Sequence, residues 1–229
     1  ERLGQLDGIA EVQRRRSAHP RVDAQAGERI MVGSAGFGVE HEPVLISGPC
    51  AIESSAQVEA IAAVVAQAGA KVLRGGAYKP RSSPYSFSGH GRTALEWMRE
   101  AADRHGLAVV TEVMSEAEVE GVSEVADMVQ IGSRNMQNFA LLRAVGGMNK
   151  PVLLKRGMAA TVEEWLLAGE HLLEAGAAGV VYCARGISGF DPHTRNLLDL
   201  GAVALLTSVP KLPVVVDPSH AVGRRDLIP

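Results

Sequence analysis

Cysteine is scarce in this 229-residue chain, which contains only Cys50 and Cys183. Two thiols cannot staple a fold of this length, so the disulfide-rich secreted class is excluded and a reducing, cytoplasmic setting is expected. Positive charge is not in excess either. Lys and Arg number 23 against 26 Asp and Glu, a formal net charge of -3, so the broad basic face of a nucleic-acid binder is not expected. No apolar run approaches the roughly 18 residues of a membrane span. The opening ERLGQLDGIAEVQRRRSAHP has no apolar core of a signal peptide, and it does not start on methionine, which leads us to expect a processed or longer chain. A GxGxxG fingerprint is also missing, which counts against a dinucleotide-binding doubly wound sheet. What the chain does have is apolar content, 46% of its residues, ample for the core of one large domain.

From residue 44 onward, short apolar runs alternate with longer stretches of helical period. The runs predict strands at 44–50, 71–78, 108–114, 128–132, 152–157, 179–186 and 213–219. The intervening segments, such as TVEEWLLAGEHLLEAG, are amphipathic, and several end on glycine as helices commonly do. Strands that are apolar throughout suit a parallel sheet covered on both faces. Their spacing of about 28 residues is that of a βα unit. Seven such units in series predict a TIM (β/α)8 barrel. After the seventh strand only HAVGRRDLIP remains, whereas the eighth unit needs on the order of 40 residues. The barrel is therefore expected to lack its last βα unit within this chain. Residues 1–43 show no βα pattern and are expected to form an N-terminal extension, either a helix and hairpin across the barrel bottom or a flexible tail. Residues 44–229 are expected to be the catalytic domain.

Chemistry in such barrels sits at the C-terminal ends of the strands. Reading only those positions collects Cys50, Arg74 with Lys79 and Arg81, Glu112, Arg134, Lys155 with Arg156, Arg185, and Asp217 with His220. One arginine at a strand end is commonly a solvated charge. Cations delivered by four strands to one rim of an acidic chain repel one another unless they bind something carrying several negative charges. Guanidinium and ammonium groups match phosphate and carboxylate oxygens, so the rim reads as a cradle for anionic small molecules. Lys155 alone also fits a Schiff-base lysine. Cys50 and His220 fall on the first and seventh strand tops, which a closed barrel brings together. A thiolate and an imidazole suit a transition metal, with Glu112 and Asp217 as carboxylates that could complete its shell. Cys183 is expected to pack in the core, and His90 and His193 to lie in surface loops.

Seven stretches carry a more specific signal: SGPCAIES, LRGGAYKPRSSPYSFSG, VTEVM, QIGSRNMQNFALL, PVLLKRGM, RGISGFDPHTRN and VDPSHAVGRRDL. In this order, from about Ile46 to Pro229, they resemble the 3-deoxy-D-arabino-heptulosonate 7-phosphate (DAHP) synthases. The likeness is to the short subtype related to 3-deoxy-D-manno-octulosonate 8-phosphate synthase. The resemblance implies a transferase of the shikimate pathway that condenses phosphoenolpyruvate with erythrose 4-phosphate. It implies that Arg74, Lys79, Arg134, Lys155 and Arg185 hold phosphoenolpyruvate, and that Pro80, Arg81 and Ser82 hold erythrose 4-phosphate. Lys79 and Glu112 would be catalytic. Cys50 and His220 would ligate a divalent ion of the Mn, Fe, Co or Zn class, the family's Glu and Asp ligands falling after Pro229. A homodimer or homotetramer with no nucleic-acid or membrane partner is also implied. Two departures, Ala184 in place of a common Glu and SGFD at 188–191, adjoin Arg185 and bear on the acceptor sugar, arabinose 5-phosphate being one alternative; a non-catalytic phosphometabolite-binding barrel is the other.

Overall fold

The N-terminal part of the chain closes one end of a sheet that the rest builds. In the computed structural model, which describes residues 17–39, 42–79, 83 and 85–228, helix α1 (Pro20–Ala24) leads into a hairpin of β1 (Ile30–Val32) and β2 (Ala35–Phe37). Seven parallel strands follow: β3 (Ile46–Ser47), β4 (Val72–Gly75), β5 (Ala108–Val113), β6 (Met128–Ile131), β7 (Pro151–Lys155), β8 (Gly179–Ala184) and β9 (Val214–Val216). Each pairs with its sequence neighbour, in the order β3-β4-β5-β6-β7-β8-β9. Between them run α2 (Ser55–Gln67), α3 (Arg92–His105), α4 (Val119–Val125), α5 (Phe139–Gly146), α6 (Val162–Glu174) and α7 (Leu200–Ser208), and α8 (Pro218–Val222) follows β9. This is the TIM-barrel-like architecture that the repeat predicted, seen as seven successive strands. All predicted strands are present, shorter than their apolar runs because the polar residues at their tops leave the ladder.

Two cores divide the strand residues by parity. Leu73, Val109, Val129, Val152, Leu154, Val180, Tyr182 and Ala184 pack outward under the helices. Val72, Ala108, Val110, Met128, Leu153, Val181 and Cys183 face the interior, where Ile30, Val32, Ala35 and Phe37 of the hairpin cover them. Side chains alternate across a strand. Continuing the inward parity upward reaches Arg74, Glu112, Gln130, Lys155, Arg185 and Asp217. An apolar floor and a polar mouth are thus two ends of the same inner face. β5, β6 and β8 are buried along their whole length, while β3 and β9, at the two edges, are only partly buried.

Helix ends are defined by capping. Ser54, Asn138 and Asp199 each accept a backbone N–H from the first turn, and Thr161 and Glu164 form a reciprocal capping box. Asp199 has a second task. Its Oδ2 accepts from Arg156 Nη1 at 2.8 Å, and the Arg156 guanidinium lies 5.7 Å from the Trp165 ring centroid. Arg156, grouped with the rim cations on sequence grounds, is therefore turned to the outer layer, because it has the opposite parity to Lys155. The Ala202 N–H holds the Asp199 carboxyl below the usual carboxylate range, partial burial opposes this, and Arg156 reinforces it. Asp199→Asn keeps the cap but leaves Arg156 buried without a counter-charge. A loss of about 3 kcal/mol is expected by urea unfolding at neutral pH. A lowered folded pKa gives stability that is present above the unfolded value near 4 and lost as pH falls through the folded value. The difference between wild type and variant should therefore shrink below about pH 4.

Candidate active site

At the C-terminal ends of the strands lies a cleft of about 200 Å³, lined by Cys50, Arg74, Lys79, Glu112, Gly132, Ser133, Arg134, Lys155, Met158, Arg185, Arg195 and His220. Eight of the site residues expected from the sequence therefore share one cleft. Pro80, Arg81 and Ser82 lie outside the described residues.

The cations are held by two devices. Lys155 is buried, and its Nζ donates to Asp217 Oδ2 at 2.7 Å. Arg185 is 5% exposed, and its Nη1 is a buried donor with no acceptor among the described residues. Burial disfavours the Arg185 charge, Arg195 and Arg134 add repulsion, and its pKa is lowered accordingly, with Asp217 opposing. A buried guanidinium with an open N–H, facing like charges, is a strong requirement for an anion.

A second group gathers around Asp217. The Nδ1 of His220 lies 2.7 Å from Asp217 Oδ2, and the His220 N–H donates to Asp217 Oδ1 at 3.1 Å. An ionised carboxylate only accepts, so Nδ1 carries the proton and Nε2 is the nitrogen able to serve a metal. Burial alone would raise the Asp217 carboxyl, but His220 and Lys155 outweigh it and hold it far below the usual range. With Lys155 Nζ and His220 Nδ1 both on Asp217 Oδ2, this carboxylate, a candidate ligand on sequence grounds, is engaged in orienting its neighbours.

Cys50 faces His220 across the cleft. The His220 side chain is the largest influence on its thiol, partial burial opposes it, and Lys79 and Arg74 help, so that the pKa falls to about 6. Lys79 Nζ donates to the Cys50 carbonyl at 2.7 Å and to its Sγ at 3.3 Å. Cys183, by contrast, is buried at the apolar floor, and burial pushes its thiol up to about 12. Alkylation of chelator-treated protein by iodoacetamide should be confined to Cys50, with a half-maximal rate near pH 6. A midpoint above pH 8, or labelling of Cys183 in the folded protein, would contradict this environment.

The Cys50 thiol and the His220 imidazole line the same cleft, and their chemistry fits a transition-metal ion. Among the described residues no cluster of three or more His, Cys, Asp or Glu is placed to hold one.

Glu112 is buried and accepts from Gln130 Nε2 at 3.1 Å. At Gly132 an added Cβ would collide with the Glu112 carboxylate, so the chain can carry only glycine there without moving it. Gln130 and Arg195 escaped sequence reasoning. A lone amide inside the apolar run MVQIG was a usable signal for Gln130. Arg195 falls within the stretch RGISGFDPHTRN but comes from a loop that doubles back rather than from a strand end. His90 contacts the Glu53 carbonyl and the Trp97 ring, and His193 pairs with Asp191 in an exposed loop.

Residues 22–228 match the model of the DAHP synthetase I family. The chain belongs to the DAHP synthetase I family. It is 50% identical over 184 residues to phospho-2-dehydro-3-deoxyheptonate aldolase of Thermotoga maritima, covering 80% of this chain and 54% of that relative. The chain thus spans about half the length of that curated relative. A 2-dehydro-3-deoxyphosphooctonate aldolase of Acidithiobacillus ferrooxidans is 29% identical over 212 residues, covering 84% of this chain and 74% of the relative. The crystal structure of the Thermotoga maritima DAHP synthase superposes with a TM-score of 0.82 at 45% identity, covering 88% of this chain and 58% of that one. A truncated form of that synthase gives 0.80 at 44% identity, covering 88% and 73%. Among the described residues, no helix is long and apolar enough to cross a membrane.

Proposed function

We propose that this chain supplies seven βα units of the catalytic barrel of a metal-dependent DAHP synthase. The reaction joins phosphoenolpyruvate, erythrose 4-phosphate and water to give DAHP and inorganic phosphate, the first step of the shikimate pathway. The buried Arg185 guanidinium, with an open N–H among other cations beside a thiol–imidazole pair, is the observation that carries this reading. A doubly anionic phosphate ester supplies the missing acceptor and the missing charge. Arg74, Lys79, Arg134, Lys155 and Arg185 would hold phosphoenolpyruvate, and Pro80, Arg81 and Ser82 the phosphorylated aldose. Free thiols and these substrates suit a cytoplasmic enzyme, and the family resemblance favours a homodimer or homotetramer.

The cations bring two mutually repelling anions into one cleft, which replaces a rare encounter in water with a held geometry. Cys50 and His220 would hold a divalent ion, with Asp217 orienting the imidazole. Such an ion supplies Lewis acidity toward an aldehyde carbonyl. Carbon 3 of phosphoenolpyruvate attacks that carbonyl carbon, and the cationic charge developing at carbon 2 is quenched by water. Glu112, fixed by Gln130, is the carboxylate that would face that water. Lys79 would deliver a proton to the new alkoxide. Loss of phosphate from carbon 2 then leaves the ketone. A Schiff-base route needs Lys155 free of a counter-ion, and its Nζ is engaged by Asp217.

The octulosonate-type relative raises arabinose 5-phosphate as an alternative acceptor. Ala184, however, packs in the outer core, and residues 188–191 are exposed and do not line the cleft. Neither departure supplies a side chain to the cleft lining, and the 50% identical heptonate-type relative favours the four-carbon acceptor. The deciding assay is phosphate release from phosphoenolpyruvate by the full-length protein, with and without chelator, across a panel of phosphorylated aldoses. Release should require both a divalent ion and an aldose, fastest with erythrose 4-phosphate. Undiminished turnover after metal stripping would overturn the mechanism.

A further inference from the structure

One buried polar side chain near the cleft takes no part in the chemistry above. Asn196 is 5% exposed and lies in the loop after β8. That loop doubles back, with Ile187 and Leu197 exchanging backbone hydrogen bonds at 2.8 and 2.9 Å. It then runs against the end of α8, the five-residue helix that carries His220. The last carbonyls of a helix have no partner within it. Here the loop supplies three donors in a row: Asn196 Nδ2 to the His220 carbonyl at 3.2 Å, Asn196 N–H to Ala221 at 2.8 Å, and Arg195 N–H to Val222 at 3.0 Å. The same side chain abuts the turn that presents Arg185. An added Cβ at Gly186, where φ is +93°, would sit 2.8 Å from Asn196 Cβ and 2.9 Å from Ala221 Cα. Three segments therefore meet at one point: the Arg185 turn, the Asn196 amide and the His220 turn.

We propose that Asn196 is a positioning residue that fixes His220 relative to Arg185, and so sets the affinity of the site for its divalent ion. This rests on the assignment of Cys50 and His220 as metal donors. An amide at this point is specific. Its N–H caps the carbonyl of the ligand residue itself, while its small volume admits the close approach of the Arg185 turn. Aspartate in its place would turn a donor into an acceptor facing that carbonyl, and push the His220 turn away.

The test is titration of the metal-stripped full-length protein with Co²⁺, read by the thiolate-to-cobalt charge-transfer absorbance. Asn196→Asp is compared with wild type and with Gln25→Met. Gln25 is a matched control: its buried amide brackets Val180 at the far end of β8, donating to the carbonyl at 2.8 Å and accepting the N–H at 2.7 Å. Asn196→Asp should bind Co²⁺ about 10–100-fold more weakly, with kcat falling at saturating metal. Gln25→Met should lose thermal stability yet keep wild-type cobalt affinity. If Asn196→Asp does not fold, Asn196→Ser, which retains a shorter donor, is read the same way. Equal cobalt affinity in wild type and the Asn196 variant, or an equal loss in Gln25→Met, overturns the proposal. Absence of the charge-transfer band in wild type would instead overturn the assignment of Cys50 as a donor.

Discussion

Replacement of Lys79 by methionine is expected to lower kcat for phosphate release by about 10²–10⁴-fold, the range that a positioned proton donor contributes. The ammonium sits at a junction, donating to both the carbonyl and the sulfur of Cys50. Anything bound at that sulfur and anything held by Arg74 or Arg185 would lie within its surroundings. Lys79→Arg separates the two tasks of the residue. A guanidinium keeps the charge but does not release a proton at accessible pH. The KM for phosphoenolpyruvate should stay near wild type in that variant while kcat falls almost as far as in Lys79→Met. Full activity in Lys79→Arg would reduce the residue to an electrostatic anchor.

Arg185→Met should move activity and stability in opposite directions. This guanidinium is buried, its Nη1 has no acceptor among the described residues, and it faces Arg195 and Arg134. A buried guanidinium N–H without an acceptor costs stability, and an apolar residue of similar length removes that cost, so a gain of about 1–2 kcal/mol is expected from urea unfolding. Catalysis should suffer in the same variant. Loss of a buried, charge-assisted contact to phosphate corresponds to about 2–5 kcal/mol, or roughly 30- to 4,000-fold in kcat/KM. Added phosphoenolpyruvate should raise the Tm of wild type and leave that of Arg185→Met unmoved. A variant both less stable and fully active would show that the arginine is a structural group.

Much of the site was legible because period and parity are properties of a linear pattern. A run such as AVVTEV announces a buried strand, and the top of each strand is where this architecture places its chemistry. That reasoning reached Cys50, Arg74, Lys79, Glu112, Arg134, Lys155, Arg185 and His220, all of which line the cleft. It went astray at Arg156, which adjoins Lys155 in the chain but takes the opposite parity and pairs with Asp199. Asp217 was legible as a carboxylate near the site but not as a group already engaged by Lys155 and His220. Arg195 and Asn196 were not legible as site residues, since they reach it through a loop that folds back on itself rather than at the end of a strand.

Composition and repeat by themselves determined the kind of fold, the face on which chemistry would lie, and its cationic character, because strand period and residue charge are local properties. Only the tertiary structure decided which charges are neutralised among the described residues and which are not. Pairing depends on separations between strands far apart in the chain. Those separations left Lys155 with a carboxylate and Arg185 with an open N–H.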